Sequence, residues 1–215
     1  MNHHIFKTVL CFSLLFAVPT LSHADNHWQF QNNKHYRIIS TAENMSAEQQ
    51  RIEVVEVFAY SCNHCFNFET YLDQFEKSKA DYIDFKKMPV VFNDAYKTHA
   101  RIYYTAESLG NLDVMHRKIF KAMHLDRKSL TDENEIYQLF AEQGISKQQF
   151  LSRFRSFTVE SKVNRAQRLT SKYKIRSTPT MVINGKYTAN GPAVKTFEDM
   201  LAVAKELAER EFLSQ

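Results

Sequence analysis

One junction constrains this chain more than any other stretch. The run Val54-Val55-Glu56-Val57-Phe58-Ala59-Tyr60 leads into Ser61-Cys62-Asn63-His64-Cys65, and Phe66-Asn67-Phe68-Glu69-Thr70-Tyr71-Leu72 follows, with Phe75 beyond. The first run is β-branched and aromatic, which predicts a strand. The apolar spacing of the last run predicts a helix ending near Lys79. Ile52, Val54, Phe58 and Tyr60 alternate with Val55, Val57 and Ala59, so both faces of the strand are apolar and it belongs at the centre of a covered sheet. A further strand is predicted over Tyr82–Phe92. Strand, helix and strand make a parallel βαβ crossover, the unit of an α/β sheet.

Cys62-x-x-Cys65 sits where that strand hands over to that helix. The start of a helix carries unpaired amides and the positive end of the macrodipole, so the Cys62 thiolate is stabilised and its pKa falls. Cys65, one turn further on, is the partner beneath it. His64 lies between them and is positioned to support the thiolate, when protonated or through its ring N–H. A stabilised thiolate favours the reduced pair, which makes the disulfide the stronger oxidant. A zinc site needs a second pair of ligands, and His99, His116 and His124 do not have that spacing. The expectation is a redox-active disulfide with no metal and no other cofactor.

Glu56 alternates in phase with the apolar residues of its strand and so faces the interior. A buried, unpaired carboxylate has a raised pKa and can exchange a proton near neutrality. Its natural client is Cys65, which must lose a proton to attack a mixed disulfide. Lys87, on the neighbouring strand, is a candidate charge partner for Glu56.

The amino terminus has the pattern of a secretory signal. Lys7 supplies a positive start, Val9–Val18 is a short apolar core, and Ser22-His23-Ala24 places small residues where a signal peptidase reads, so cleavage is expected before Asp25. The apolar stretch is too short for a transmembrane helix. Of the three cysteines, Cys11 leaves with this segment, and Cys62 and Cys65 remain. The loop they close is too small to staple a fold, which again favours redox chemistry. The formal net charge of +4 is spread along the chain, which favours solubility and gives no ground for nucleic-acid binding.

Residues 25–34 are polar and are expected to be extended, His35–Ser40 is a first strand candidate, and Thr41–Gln50 is polar connection. From Asp94 to Ser156 the pattern is helical. Gly110 and Gly144 act as stops, and capping boxes are expected at Asp132-x-x-Glu135 and Ser146-x-x-Gln149. A longer helix carries Val159, Val163, Ala166, Leu169 and Tyr173. Strand character returns at Thr180–Ile183, Asn184-Gly185 is a hairpin turn, and Lys186–Thr188 is its return strand. Thr196 caps a final amphipathic helix. Thr178-Pro179 precedes the strand, a common place for proline, and on local sequence the bond can be cis or trans.

This order of segments, with VEVFAYSCNHCFNFE, a helical block, RSTPTMVINGKY and a last helix, resembles the DsbA family of periplasmic thiol:disulfide interchange proteins. The resemblance implies an α/β thioredoxin fold with an inserted all-helical domain. The divisions are then a signal at 1–24, thioredoxin-like parts at 25–92 and 164–215, and the insertion at 93–163. It implies a cis Pro179 facing the disulfide, with Thr178 presenting substrate backbone, and it matches Glu56 and Lys87 to the family's acid and lysine. It also implies an enzyme that donates its Cys62–Cys65 disulfide to exported proteins with free cysteines. That enzyme is expected in the periplasm as a monomer, re-oxidised by a quinone-linked membrane oxidase resembling DsbB. Two departures stand out. The family's Pro-His dipeptide is Asn63-His64 here, and its valine before the cis proline is Thr178. The rival readings are a reductase or isomerase, and a non-catalytic binder of unfolded chains or metal.

Overall fold

The computed structural model describes residue 1, residues 28–39 and residues 51–215. The expected signal segment with its cleavage point and the polar connection 41–50 lie outside the described residues. In chain order the elements are β1 (Arg37–Ile38), β2 (Ile52–Phe58), α1 (Asn63–Ser78), β3 (Ile83–Pro89), α2 (Asp94–Ser108) and α3 (Leu112–His124). They continue with α4 (Glu133–Ala141), α5 (Lys147–Phe154), α6 (Phe157–Lys172), β4 (Thr180–Ile183), β5 (Tyr187–Thr188) and α7 (Phe197–Leu213).

The sheet runs β1-β5-β4-β2-β3. β2 is parallel to β3, as the βαβ pattern requires, and the other neighbours are antiparallel. The side chains of β2 divide between two apolar layers. Ile52 and Val54 pack with Phe68, Leu72 and Phe75 of α1 and with Val203 and Leu207 of α7. Val55 and Val57 share the other layer with Tyr103, Met115, Phe120, Phe140 and Val163 of the inserted helices. The sheet is thus covered on both sides, and α2 to α6 fill the chain between β3 and β4. The division expected at residues 163 and 164 falls inside α6, which is continuous there.

Local signals account for most helix ends. Ser146 and Gln149 form the expected capping box, and Thr196 with Asp199 forms another at the start of α7. At Asp132 only half of the expected box forms. Asp132 accepts from the amides of Asn134 and Glu135, but the Glu135 carboxylate turns to the Leu130 amide at 2.8 Å. The chain bends back through Leu130 at φ +50°, and that amide takes the acceptor first. Asn184 and Gly185 both have positive φ, as the tight hairpin between β4 and β5 demands. The expected strand at residues 35–40 is reduced to Arg37–Ile38 among the described residues, because the chain turns through Asn33 at φ +62° just before it.

The segment before β1 is fastened to the loop that leads into α7. The buried Gly191 donates its amide to the His35 carbonyl at 2.9 Å, and Ala193 donates to Lys34. A β-carbon on Gly191 would stand 2.4 Å from the Lys34 carbonyl oxygen. Gly191→Ala must therefore push two backbone segments apart. The expected cost is about 1–3 kcal/mol, read as a lower midpoint in thermal unfolding by circular dichroism, at roughly 2–4 °C per kcal/mol for a chain of this size.

Candidate active site

The β2–α1 junction makes Cys62 the N-cap of α1. Its backbone is extended, at φ −90° and ψ 115°, and its Sγ accepts the Cys65 amide at 3.3 Å. A sulfur thus fills the place usually held by a serine or aspartate oxygen. Cys62 is partly exposed, Cys65 is fully buried, and both thiols are free. Facing them is the Thr178-Pro179 peptide, which is cis. The Cys62 thiol donates to the Thr178 carbonyl at 3.3 Å.

These contacts split the two thiols. Hydrogen bonding from the Cys65 thiol pulls the Cys62 pKa down to about 5, against partial burial, with help from the Thr178 hydroxyl and the Cys65 and His64 amides. Burial pushes the Cys65 thiol well above the usual range, and its bond to Cys62 and the charge of Glu56 push the same way. At neutral pH the reduced pair is one thiolate and one thiol. Only the thiolate is within reach of solvent.

Glu56, on β2, is near enough to Cys65 for its charge to act on that thiol. It is fully buried, and neither carboxylate oxygen has a hydrogen-bond partner among the described residues. Burial pushes its pKa up to about 8, Lys87 opposes that, and Glu69 and Cys62 reinforce it. The expected buried carboxylate is in place.

Two expected contacts take another form. Lys87 stands directly opposite Glu56 in the β2–β3 register, yet its ion pair is with Glu69, at 2.6 Å. The carboxylate of Glu69 can reach the ammonium because it projects from α1 toward β3, whereas Glu56 is fully buried on β2. His64 supports Cys62 through its backbone amide. Its ring is exposed and lies edge-on to Phe197, with centroids 6.5 Å apart. At the first turn of a helix the amide points along the axis to the cap while the side chain splays outward. Asn63 is exposed beside it.

Sequence reasoning missed the polar group around Lys87. His116 of α3 is buried, with Nδ1 2.8 Å from the Tyr60 hydroxyl and Nε2 3.2 Å from Glu69. His124, at the end of the same helix, meets the Tyr60 carbonyl at 2.8 Å and stacks on Phe66 with centroids 4.9 Å apart. One signal was available. Glu69 follows Cys65 by four residues and lies beside the buried stripe of Cys65, Phe68 and Leu72, so a carboxylate there borders the core. Among the described residues no group of three His, Cys, Asp or Glu side chains is placed to hold a metal. A cavity of about 450 Å³ lies along β3, lined in part by Phe85, Tyr103, Tyr104 and Tyr173; it includes neither cysteine.

A cysteine pair at a helix start, faced by a cis proline in a five-stranded sheet with a helical insertion, has known counterparts. Residues 53–202 match the family described as a DSBA-like thioredoxin domain. The chain belongs to the DsbA family. The thiol:disulfide interchange protein DsbA of Azotobacter vinelandii is 32% identical over 220 residues, covering 100% of both chains. The DsbA of Pseudomonas aeruginosa is 33% identical over 217 residues, covering 98% of this chain and 97% of its own. A crystal structure of that protein superposes with a TM-score of 0.79 at 30% identity, over 86% of this chain and 96% of its own. The oxidoreductase DsbA of Xylella fastidiosa gives 0.77 at 29% identity, over 84% and 97%. This member of the DsbA family is a thiol:disulfide oxidoreductase with a thioredoxin fold.

The split between the thiols is directly measurable. Alkylation of the reduced protein as a function of pH is expected to show one fast thiol, Cys62, titrating near 5, far below the free value of about 8.5. Thr178→Val removes a hydroxyl that favours the thiolate and is expected to move that titration upward. A fast thiol mapping to Cys65, or no movement in Thr178→Val, contradicts this assignment.

Proposed function

We propose that this chain is an oxidant in the periplasm, passing the Cys62–Cys65 disulfide to newly exported proteins that carry free cysteines. The observation that carries the reading is the one-sided support of the Cys62 thiolate by the Cys65 thiol, the Thr178 hydroxyl and the amides of α1. None of that support acts on a disulfide, which has no charge to stabilise, so it draws the pair toward the reduced state.

A client thiolate attacks Cys62 Sγ. The bond between the client sulfur and Cys62 forms, the Cys62–Cys65 bond breaks, and its electron pair goes to Cys65. Cys65 sits in apolar surroundings that do not tolerate its charge, and Glu56, with its pKa near 8, is protonated at neutral pH and hands over that proton. A second client thiolate then attacks the client sulfur of the mixed disulfide. The client leaves with a new disulfide, and Cys62 departs as the stabilised thiolate. Re-oxidation runs the proton the other way, from Cys65 to Glu56, and a quinone-linked membrane oxidase resembling DsbB is the proposed electron acceptor. Thr178, beside Cys62, is the proposed docking point for client backbone. The chain is proposed to act as a monomer without cofactor or metal, and without nucleic acid.

Titration of the pair against glutathione is the direct experiment. A midpoint well on the oxidising side of glutathione supports donation, and one on the reducing side overturns it. Stability gives an independent test. The Cys62 thiol has a folded pKa of about 5 against about 8.5 unfolded. A depressed folded pKa contributes stability that is complete above the unfolded value and lost as pH falls through the folded one. The reduced protein is therefore expected to melt above the oxidised protein at pH 7. The gap should narrow toward pH 5 and close below it. Paired thermal melts of the two forms across that range check the order, and a more stable oxidised form at pH 7 contradicts the reading.

A further inference from the structure

Glu56 and Lys87 face each other across the β2–β3 ladder, yet the expected ion pair does not form. Lys87 is taken by Glu69 at 2.6 Å. Glu69 is in turn held by His116, whose Nε2 is 3.2 Å from its other oxygen. The His116 ring is fixed from behind, where Nδ1 meets the Tyr60 hydroxyl at 2.8 Å. Glu69 is ionised and can only accept from Nε2, so Nδ1 is the bare nitrogen and takes the hydroxyl proton of the buried, neutral Tyr60. That leaves the proton of the neutral imidazole on Nε2, directed at Glu69. The Lys87 ammonium, 3.3 Å from Nε2, then packs against the ring without bonding to it, and its strong partner is Glu69.

We propose that His116 is a positioning residue for the thiol chemistry: reaching in from the helical insertion, it orients Glu69, Glu69 holds Lys87, and Glu56 is left with no ion-pair partner to carry the proton that Cys65 exchanges. This rests on the reading of Glu56 as the proton partner of Cys65 and assigns it an upstream control. The geometry is closed on every side. Glu69 comes from α1, Lys87 from β3, Tyr60 from the turn after β2 and Tyr103 from α2, whose hydroxyl donates to the Lys87 carbonyl at 3.1 Å. Arg117, next to His116 on α3, is paired outward with Asp73. Burial holds the His116 pKa below its ordinary value, with Lys87 and Arg117 acting the same way and Glu69 opposing. His116 is therefore neutral at pH 7. Burial alone would raise the Glu69 pKa, but His116 and Lys87 outweigh it and keep the carboxylate ionised.

Neutrality makes the test clean, because replacing His116 removes no charge. Any change at Glu56 must come from movement of Glu69 and Lys87. The carboxyl of Glu56 can be followed by ¹³C NMR in the reduced protein labelled at glutamate. His116→Phe keeps an aromatic ring among Phe58, Tyr60 and Phe120 but has no nitrogen. Lys87 is then expected to turn toward Glu56 and lower its titration by about 1 pH unit, as an approaching cation does to a carboxylate. His116→Gln can still donate to Glu69 and is expected to titrate as the parent does. In a Lys87→Met background, His116→Phe is expected to cause no further movement.

Tyr60→Phe, which removes only the hydroxyl that orients the ring, is expected to give a smaller movement in the same direction. It serves as the second variant should His116→Phe fail to fold. An unmoved Glu56 in folded His116→Phe or in Tyr60→Phe overturns the proposal, as does a movement that persists without Lys87. The pH profile of mixed-disulfide resolution reports separately on the underlying reading. If Glu56 moves as expected and that profile stays put, the positioning role stands and the proton partnership with Cys65 falls.

Discussion

A helix start offers amides in search of an acceptor, and in this fold the acceptor is the sulfur of Cys62. Because the cysteine is itself the N-cap, the thiolate is part of how the helix begins. Its second cysteine can then only fall one turn inside, where α1 is already packed on the sheet and the environment is dry. The asymmetry between an ionised, accessible sulfur and a neutral, hidden one follows from a spacing of three residues on a helix whose inner face is apolar. The cis Thr178-Pro179 peptide closes the remaining side with a carbonyl and a hydroxyl.

Around that pair, two carboxylates take opposite roles. Glu69 is held by donors and stays ionised; Glu56, fully buried, has none among the described residues and stays protonated. Neighbours of this kind, driven apart by their surroundings, divide charge storage from proton storage. The cost of burying Glu56 is met by letting it be neutral, which is also what the proposed proton exchange with Cys65 requires.

Much of this was legible in the chain. The strand from Ile52, the helix after Cys62, the block of helices and the Asn184-Gly185 hairpin all follow from periodicity and turn chemistry, because each is fixed by residues near in sequence. Glu56 was legible for the same reason, as a charged residue in phase with apolar ones. The partner of Lys87 was not. Register places it opposite Glu56, but its ammonium sits at the end of a long stem and goes to the carboxylate best served by other donors, which depends on α3, far off in sequence. His116 reads locally as one polar residue in the apolar stripe of α3, and only the packed fold reveals what it holds. His64 is the opposite case, since its side chain draws attention in the sequence while its backbone amide makes the contact seen at Cys62.

Tyr60 is pinned to α3 at both ends, its hydroxyl to His116 and its carbonyl to His124, whose ring lies flat on Phe66 one residue past the buried cysteine. The inserted helix α3 thus meets the strand-to-helix junction beside the cysteines, so the helical block touches the active site itself. A shift of α3 is therefore felt directly at the residues that flank the two sulfurs, Tyr60 on one side and Phe66 on the other.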